Sequence, residues 1–370
     1  MSTHRLERLT DLMQSNGLDA LALTPGPNLV YLAGLHLHQM ERPSIAIFMP
    51  NRLPLLIVPE LEAGKAAGLS VDFETFTYGD NPATWNEVYR RAAQSAGLAG
   101  KTIGIEPGRM RFLEYHFLQD AMPDTRFISA ESALAALRLC KEPEEIEAMR
   151  QAAVVAQQAL SATLPLVKVG MTERDLAREL VLQLFRAGSD PEMPFAPIVA
   201  SGPNSANPHA VPSDRKLTPG DLVIIDWGAS VSGYFSDLTR TIGIGQVDAK
   251  LAHIAQVVAQ ANAAGRAAGK PGLPAGAVDH AARKVIDEAG FGQYFIHRTG
   301  HGLGMEAHEE PYMFGENQQV LKPGMVYTVE PGIYLPGVGG VRIEDDVAVT
   351  ERASESLSNM PRDLLIVVTD

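Results

Sequence analysis

The stretch TPGDLVIIDWG, residues 218–228, returns 104 residues later as KPGMVYTVEPG, residues 322–332. Each copy opens with Pro-Gly, runs through four or five strand-forming residues, reaches an acid and closes on a turn glycine. Asp226 lies six residues after Gly220, and Glu330 lies six after Gly324. Because the acids fall at the same place, a duplicated half-domain explains the match better than chance does.

The segments that follow extend the parallel. GASVSGYFSDLTRT (228–241) and GIYLPGVGGVRIEDD (332–346) each read as strand, glycine-rich turn, strand. A turn centred between Val231 and Ser232 sets Asp226 opposite Asp237. A turn centred on Gly337 sets Glu330 opposite Glu344. Directly opposed residues on an antiparallel pair share a face, and like charges there destabilise the ladder. Burying two such pairs is costly unless a cation neutralises them. The alternative is that these are exposed acids on solvated strands. It loses ground once both pairs and the repeat are considered together. Four carboxylates balance two divalent cations, and carboxylates with one imidazole suit Mn²⁺ or a similar first-row ion.

The imidazole is found in HRTGHGLGMEAHE (297–309), which holds His297, His301 and His308 of the ten histidines in the chain. His301 sits in Gly-His-Gly, where the backbone can approach a metal closely. It supplies a fifth ligand, with His297 and His308 flanking the site. The alternative for the flanking pair is a helix cap and a solvent-exposed side chain. Trp227, next to Asp226, faces the other way by strand alternation and reads as core.

The rest of the chain sets bounds. Its 370 residues imply two domains, or one large domain with a smaller companion. The net charge of −13, from 31 basic and 44 acidic residues, argues against nucleic acid and anionic membranes as main partners. The single cysteine, Cys140, makes no intrachain disulfide, and nothing near it marks a nucleophile. Charged residues by His4 and Arg5, with no apolar core after them and no long apolar run elsewhere, point to a cytoplasmic chain.

Residues 3–16 carry apolar positions at helical spacing up to Gly17. Strands are expected over 19–23, 44–49, 55–58 and 102–105, and helices over 83–96 and 109–121. Alternation of this kind predicts an α/β unit over about 130 residues. A long helix starts at Pro143, and Thr172 to Asp175 form a capping box for another that Gly188 ends. The expected domains are 1–132 and 138–370, with the boundary inside 129–141.

Taken in order, SGPNSANPH, DWG, SDLTRT, HRTGHGLGMEAHE, TVEPG and VRIEDD resemble the pita-bread metallopeptidases: Xaa-Pro dipeptidases, aminopeptidase P and methionine aminopeptidases. The resemblance covers the whole chain. It implies an α/β (α+β) fold: a creatinase-type N-terminal domain, then a catalytic domain of two pseudo-twofold halves. It implies Asp226, Asp237, His301, Glu330 and Glu344 as ligands of two divalent ions per chain, Mn first, with Co, Zn or Fe as alternatives. Asp237 and Glu344 would bridge the ions, with Asp226 on one and His301 and Glu330 on the other. His209, His297 and His308 become substrate-side residues. His209 and His308 stand by the developing oxyanion, His297 lies towards a proline pocket, and Glu330 passes a proton to the leaving nitrogen.

Arg342, two residues before Glu344, either orients a bridging carboxylate, binds a substrate carboxylate or forms a surface salt bridge. Tyr234 and Tyr334 are either donors to the ligands or packing residues. His36 and His38 either reach substrate across a dimer or sit on a surface loop.

The resemblance further implies a homodimer acting on short proline-containing peptides. A proline dipeptidase is the leading expectation, on the look of residues 35–43. Aminopeptidase P is the rival, and a non-catalytic binding module is more distant because all five ligand positions are filled.

Overall fold

The structure, a computed structural model, describes residues 2–367 and divides into two compact units between Arg138 and Leu139. In the first unit, β1 (Ala20–Leu23), β2 (Ile45–Phe48), β3 (Leu55–Pro59), β4 (Glu74–Tyr78), β5 (Thr102–Ile105) and β6 (Arg126–Ser129) form one sheet in the order β4-β3-β2-β1-β5-β6. β1 runs antiparallel to β2 and parallel to β5. The helices are α1 (Ser2–Ser15), α2 (Pro27–Ala33), α3 (Trp85–Ala96), α4 (Phe112–Ala121) and α5 (Glu131–Arg138). β1, β2 and β3 are buried at every position. Ala20, Ala22, Ile45, Ile47, Leu55 and Ile57 pack against Trp85, Val88, Tyr89 and Ala92 of α3, which accounts for their continuous apolar pattern. The expected helix over 3–16 and the four expected strands are present, with ends displaced by at most one residue. Gly17, at φ 66°, stops α1.

The second unit repeats one plan. Helices α6 (Pro143–Thr163) and α7 (Glu173–Arg186) lead into β7 (Ile198–Ser201), β8 (Leu222–Trp227), β9 (Ser230–Val231), β10 (Tyr234–Phe235) and β11 (Leu238–Ile244). Helices α8 (Ala249–Ala268) and α9 (Gly276–Glu288) lead into β12 (Gly300–Gly302), β13 (Glu309–Met313), β14 (Val326–Val329), β15 (Gly332–Leu335), β16 (Gly339–Arg342), β17 (Asp345–Val349) and β18 (Ser354–Ser356). β19 (Leu365–Val367) returns to the first sheet, whose order is β19-β11-β8-β7, while the second is β13-β12-β14-β17-β18.

The echo seen in the sequence is an echo of hydrogen bonds. Gly220 (φ 93°) donates to the Ile244 carbonyl, and Gly324 (φ 88°) donates to that of Val349. Asp221 closes a turn on Thr218 and Met325 closes one on Lys322. Glycine stands at both positions because the left-handed conformation penalises any Cβ.

One expected register is corrected. Asp226 pairs with Thr239, not Asp237. Ser232 (φ 53°) and Gly233 (φ 76°) both adopt positive φ, as the central residues of a type I′ hairpin turn do. The turn is therefore centred between these two residues, one position later than expected. Asp237 stays on Asp226's face as a diagonal neighbour, because a shift of two residues preserves alternation. In the second hairpin Gly337 lies in the turn at φ 73°. Val329 pairs with Asp345 and Gly332 with Arg342, so the register sets Glu330 across from Glu344 as expected.

The two sheets meet where Thr239 bridges Glu344, whose N–H donates to the Thr239 carbonyl at 3.0 Å. That junction brings the acids of both hairpins together. Trp227 is fully buried among α6 and α7 residues, its indole N–H donating to the Ala156 carbonyl at 2.8 Å.

Candidate metal centre

A cavity of about 720 Å³ opens at the junction. Asp226, Asp237, His301, Glu330 and Glu344 all line it, together with His209, His297, His308, Arg298 and Arg342. The five expected ligands, the three expected substrate-side histidines and Arg342 are therefore in one place.

Ligand atoms of Asp226, Asp237 and Glu344 lie within 4.8 Å of one another. The same holds for His301, Glu330 and Glu344, and for Asp237, His301 and His308. Glu344, Asp237 and His301 each belong to two of these groups, and of the four acids only Glu344 and Asp237 do, as bridging carboxylates would.

Electrostatics show what the cluster lacks. Burial pushes the Asp237 carboxyl well above its ordinary value, and Glu344, Asp226, Asp346 and Glu330 add to the effect. Burial raises Glu344 likewise, with Glu330 and Asp226 contributing. Burial also raises Glu330, to about 8, against the opposing pull of Arg342. Acids this close and this dry hold protons unless a cation replaces them. Asp226 Oδ1 is buried with no hydrogen-bond partner, an orphaned acceptor grouped with two other acids, Asp237 and Glu344. The residues therefore fit a pair of divalent ions.

The supports around the ligands are specific. His301 Nδ1 lies 3.1 Å from the Gly302 carbonyl, so Nδ1 carries the proton and Nε2 keeps its lone pair. That nitrogen is 3.4 Å from Glu330 and 3.7 Å from Asp237. A Cβ at residue 300 or 302 would fall within 2.2 Å of a backbone carbonyl oxygen, so the glycines flanking His301 let neighbouring strands close in. Thr239 donates its hydroxyl to Glu344 at 2.7 Å. The Asp237 N–H donates to Asp346.

Arg342 is 3% exposed, which excludes a surface salt bridge. It donates to Asp226 at 2.6 Å, to the Tyr334 hydroxyl at 3.0 Å, to the Pro208 carbonyl at 3.2 Å and to Thr239 Oγ1 at 3.2 Å. Four of its five N–H groups are thereby engaged. The carboxylate it orients is Asp226, not Asp237 or Glu344.

The chain of donors continues from Tyr334 to His297 Nε2 at 2.9 Å, and His297 Nδ1 meets the Arg298 carbonyl at 2.7 Å. Both ring nitrogens of His297 are occupied. Burial lowers its pKa to about 4, so the ring is neutral and rigid and serves the cavity as a wall. His308 stacks edge-on to His301, ring centroids 4.0 Å apart, and is exposed, as is His209. Tyr334 thus belongs to the site. Tyr234 instead donates to Glu145 of α6 at 2.6 Å. His36 and His38 are exposed in the first unit.

Sequence reasoning passed over Thr239, Asp346 and Arg298. Thr239 and Asp346 stood inside motifs already singled out, SDLTRT and VRIEDD. Arg298 stood between His297 and Thr299, overshadowed by the histidines.

A mixed sheet and an antiparallel one, joined over a buried carboxylate–histidine cluster, define a pita-bread metallohydrolase. Residues 147–351 match the model of metallopeptidase family M24, and residues 5–140 match the creatinase/prolidase N-terminal domain. The chain belongs to metallopeptidase family M24. It is 36% identical over 365 residues to a Xaa-Pro dipeptidase of Pyrococcus furiosus, covering 98% of this chain and 99% of that protein. A dipeptidase structure from Pyrococcus horikoshii OT3 superposes with a TM-score of 0.92 at 39% identity, over 98% of this chain and 99% of the other. An X-Pro aminopeptidase structure from Thermotoga maritima gives 0.85 at 31% identity, over 98% and 99%. Among the described residues, no helix is long and apolar enough to cross a membrane.

Proposed function

We propose that the protein is a Xaa-Pro dipeptidase, a cytoplasmic homodimer whose five ligands, Asp226, Asp237, His301, Glu330 and Glu344, hold two Mn²⁺ ions. The observation that carries this is the shared membership of Asp237 and Glu344 in neighbouring ligand groups around buried acids. Bound there, the ions supply an activated water and polarise the scissile carbonyl.

The protein's own groups do the rest. Arg342 and Thr239 fix Asp226 and Glu344, so the ligands need no reorganisation on loading. His308 and His209, both exposed on the cavity wall, donate to the carbonyl oxygen as charge builds on it. Glu330, whose carboxylate lines the cavity beside His301, takes the proton released by the attacking water and passes it to the imide nitrogen of the leaving proline. His297, neutral and held at both nitrogens, walls the proline side. Apolar Pro194, Phe195, Pro197 and Val211 line the same cavity and suit a pyrrolidine ring.

Turnover of the Mn²⁺-loaded protein on Ala-Pro beside Ala-Pro-Ala tests the reading. Cleavage of Ala-Pro alone is expected. Preference for the tripeptide would make it an aminopeptidase P. Failure to cut either, with two ions bound, would refute proline specificity.

A further inference from the structure

Glu173 opens α7 inside the capping box that Thr172 and Asp175 form, and takes no part in the cap. It is fully buried and makes no ion pair among the described residues. Instead it collects donors. Oε1 accepts from the Ser201 N–H at 2.6 Å and the Ser201 hydroxyl at 2.7 Å. Oε2 accepts from the Ser213 N–H at 3.0 Å and the Ser213 hydroxyl at 2.6 Å. Asn204 Nδ2 lies 3.2 Å from both oxygens. Burial pushes the carboxyl up, but the bonds from Ser213 and Ser201 outweigh it and hold the carboxyl below its ordinary value. Glu173 is therefore an anion held by neutral donors alone.

The two serines are the two ends of one segment. Between them the chain leaves β7, and Pro208, His209, Ala210, Val211 and Pro212 line the metal cavity. Other parts of the segment are tied to β16, which carries Arg342. The Ser205 hydroxyl accepts from the Gly340 N–H at 2.8 Å, and the Pro208 carbonyl accepts from Arg342 at 3.2 Å. The His209 ring has no such tie. It is exposed and makes no hydrogen bond or ion pair among the described residues, so the backbone that carries it sets its place. An apolar residue at 173 would fill the space with less desolvation cost. What the carboxylate adds is geometry, since one planar group fixes both ends of the segment through charge-assisted bonds.

We propose that Glu173 is a positioning residue: its carboxylate clamps both ends of the cavity segment and so holds the His209 ring where the oxyanion forms. This rests on the peptidase reading above, which gives His209 that role.

Glu173→Gln keeps the shape but turns one oxygen into an NH₂ group, which faces a backbone N–H that cannot accept from it. One end of the segment is released. The test measures kcat and KM of Mn²⁺-loaded wild type, Glu173→Gln, His209→Ala and the double variant, on whichever of Ala-Pro and Ala-Pro-Ala the wild type cuts. His209→Ala is expected to lower kcat about a hundredfold. Glu173→Gln should lower it about tenfold with KM within about twofold, because the bond concerned forms only in the transition state. The double variant should match His209→Ala within about twofold, since residues that act through one another do not add. A double variant about tenfold below His209→Ala overturns the proposal, as does Glu173→Gln with wild-type kcat. If His209→Ala itself keeps full turnover, the oxyanion role of His209 falls and the proposal falls with it. Hydrogen exchange of the metal-free proteins supplies a readout apart from turnover. Glu173→Gln should speed exchange within residues 201–213 and leave β8 and β14 unchanged, and unaltered exchange of the segment overturns the clamp. Should Glu173→Gln fail to fold, Ser213→Ala removes one hydroxyl donor and carries the same cycle and the same exchange measurement. If wild type cuts neither peptide, the peptidase reading fails on its own, and the exchange result still decides whether Glu173 holds the segment.

Discussion

Glu344 and Asp345 are neighbours in sequence, 2% and 0% exposed, and the protein treats them oppositely. Burial alone would raise the pKa of Asp345. Arg240 and Arg362, helped by Ser358, outweigh it and hold the carboxyl at about 2. Arg240 donates to it at 2.8 Å, Arg362 at 2.7 Å and Ser358 at 2.6 Å. Glu344, on the other side of the strand, meets further acids and has its pKa driven up. One buried acid has its cations built into the chain, and the other stands where cations must come from outside. Buried carboxylates are evidence for a metal where protein-borne cations are too few to neutralise the cluster, as they are around Glu344 and are not around Asp345.

That contrast is broken most severely at the ligands. Asp237→Ala removes a carboxylate shared by two ligand groups. The variant is expected to lose both bound metal and at least about a thousandfold in kcat/KM, since metal activation contributes several kcal/mol. Metal analysis and peptide turnover on one preparation check this. Full turnover in the variant would end the two-ion scheme. Asp345→Asn should act on the fold instead. It leaves Arg240 and Arg362 facing a neutral amide, and about 3 kcal/mol of stability should be lost. Thermal unfolding measures the loss, while the folded fraction should keep its metal.

These two residues also show what the sequence could and could not convey. Asp226, Asp237, Glu330 and Glu344 were legible because duplication placed equivalent acids at equivalent points of two Pro-Gly repeats. The second register followed from its glycine turn. The first did not, because Ser232 takes a positive φ that serine seldom adopts, which moved the pairing by two residues. Asp345 was invisible as a structural ion pair, since Arg240 and Arg362 lie far from it in sequence. Arg342 stood out as an arginine close to a ligand, but its partner Asp226 is 116 residues away and belongs to the other half. Pattern along one strand locates a side chain; only packing between halves supplies its partner.

The comparison can be sharpened by pH. In the metal-free protein Glu330 has a folded pKa of about 8, above the 4.5 of an unperturbed glutamate. The folded state then binds more protons than the unfolded one between those values, so stability falls as pH rises through that window. His297 works the other way, but only between about 4 and 6.5, where the unfolded ring takes a proton that the folded ring refuses. Above pH 6.5 the histidine is neutral in both states and the acids set the slope. Metal-free protein should therefore lose at least about 1.5 kcal/mol between pH 6.5 and 8. Glu330→Gln should reduce that slope, leaving the part due to Asp237 and Glu344, and added Mn²⁺ should reverse it, because the ion binds the ionised ligands. Asp345 adds nothing here, since its stabilisation is lost only as pH falls from 3.8 to about 2. A slope that survives Glu330→Gln unchanged would place the protonated acid elsewhere in the cluster.

The smallest effect should come from Tyr334, whose hydroxyl accepts from Arg342 and donates to His297. Tyr334→Phe keeps the ring, which packs 5.5 Å from the His297 ring centroid-to-centroid, and removes only the link. Arg342 retains Asp226, so the metal should still bind. His297 Nε2 loses its donor in a buried place, at a stability cost of about 1 kcal/mol. A loosened support for Asp226 typically weakens metal affinity or rate by about tenfold. Histidine tautomers read by NMR separate this from plain packing loss. In wild type the His297 proton should reside on Nδ1, with Nε2 accepting from the phenol, and in the variant the Nε2 resonance should move while that of His301 stays. Movement of both rings would mean that the Arg342–Tyr334–His297 chain and the His301 ligand are one coupled unit, and that the wall of the cavity and its metal centre cannot be altered separately.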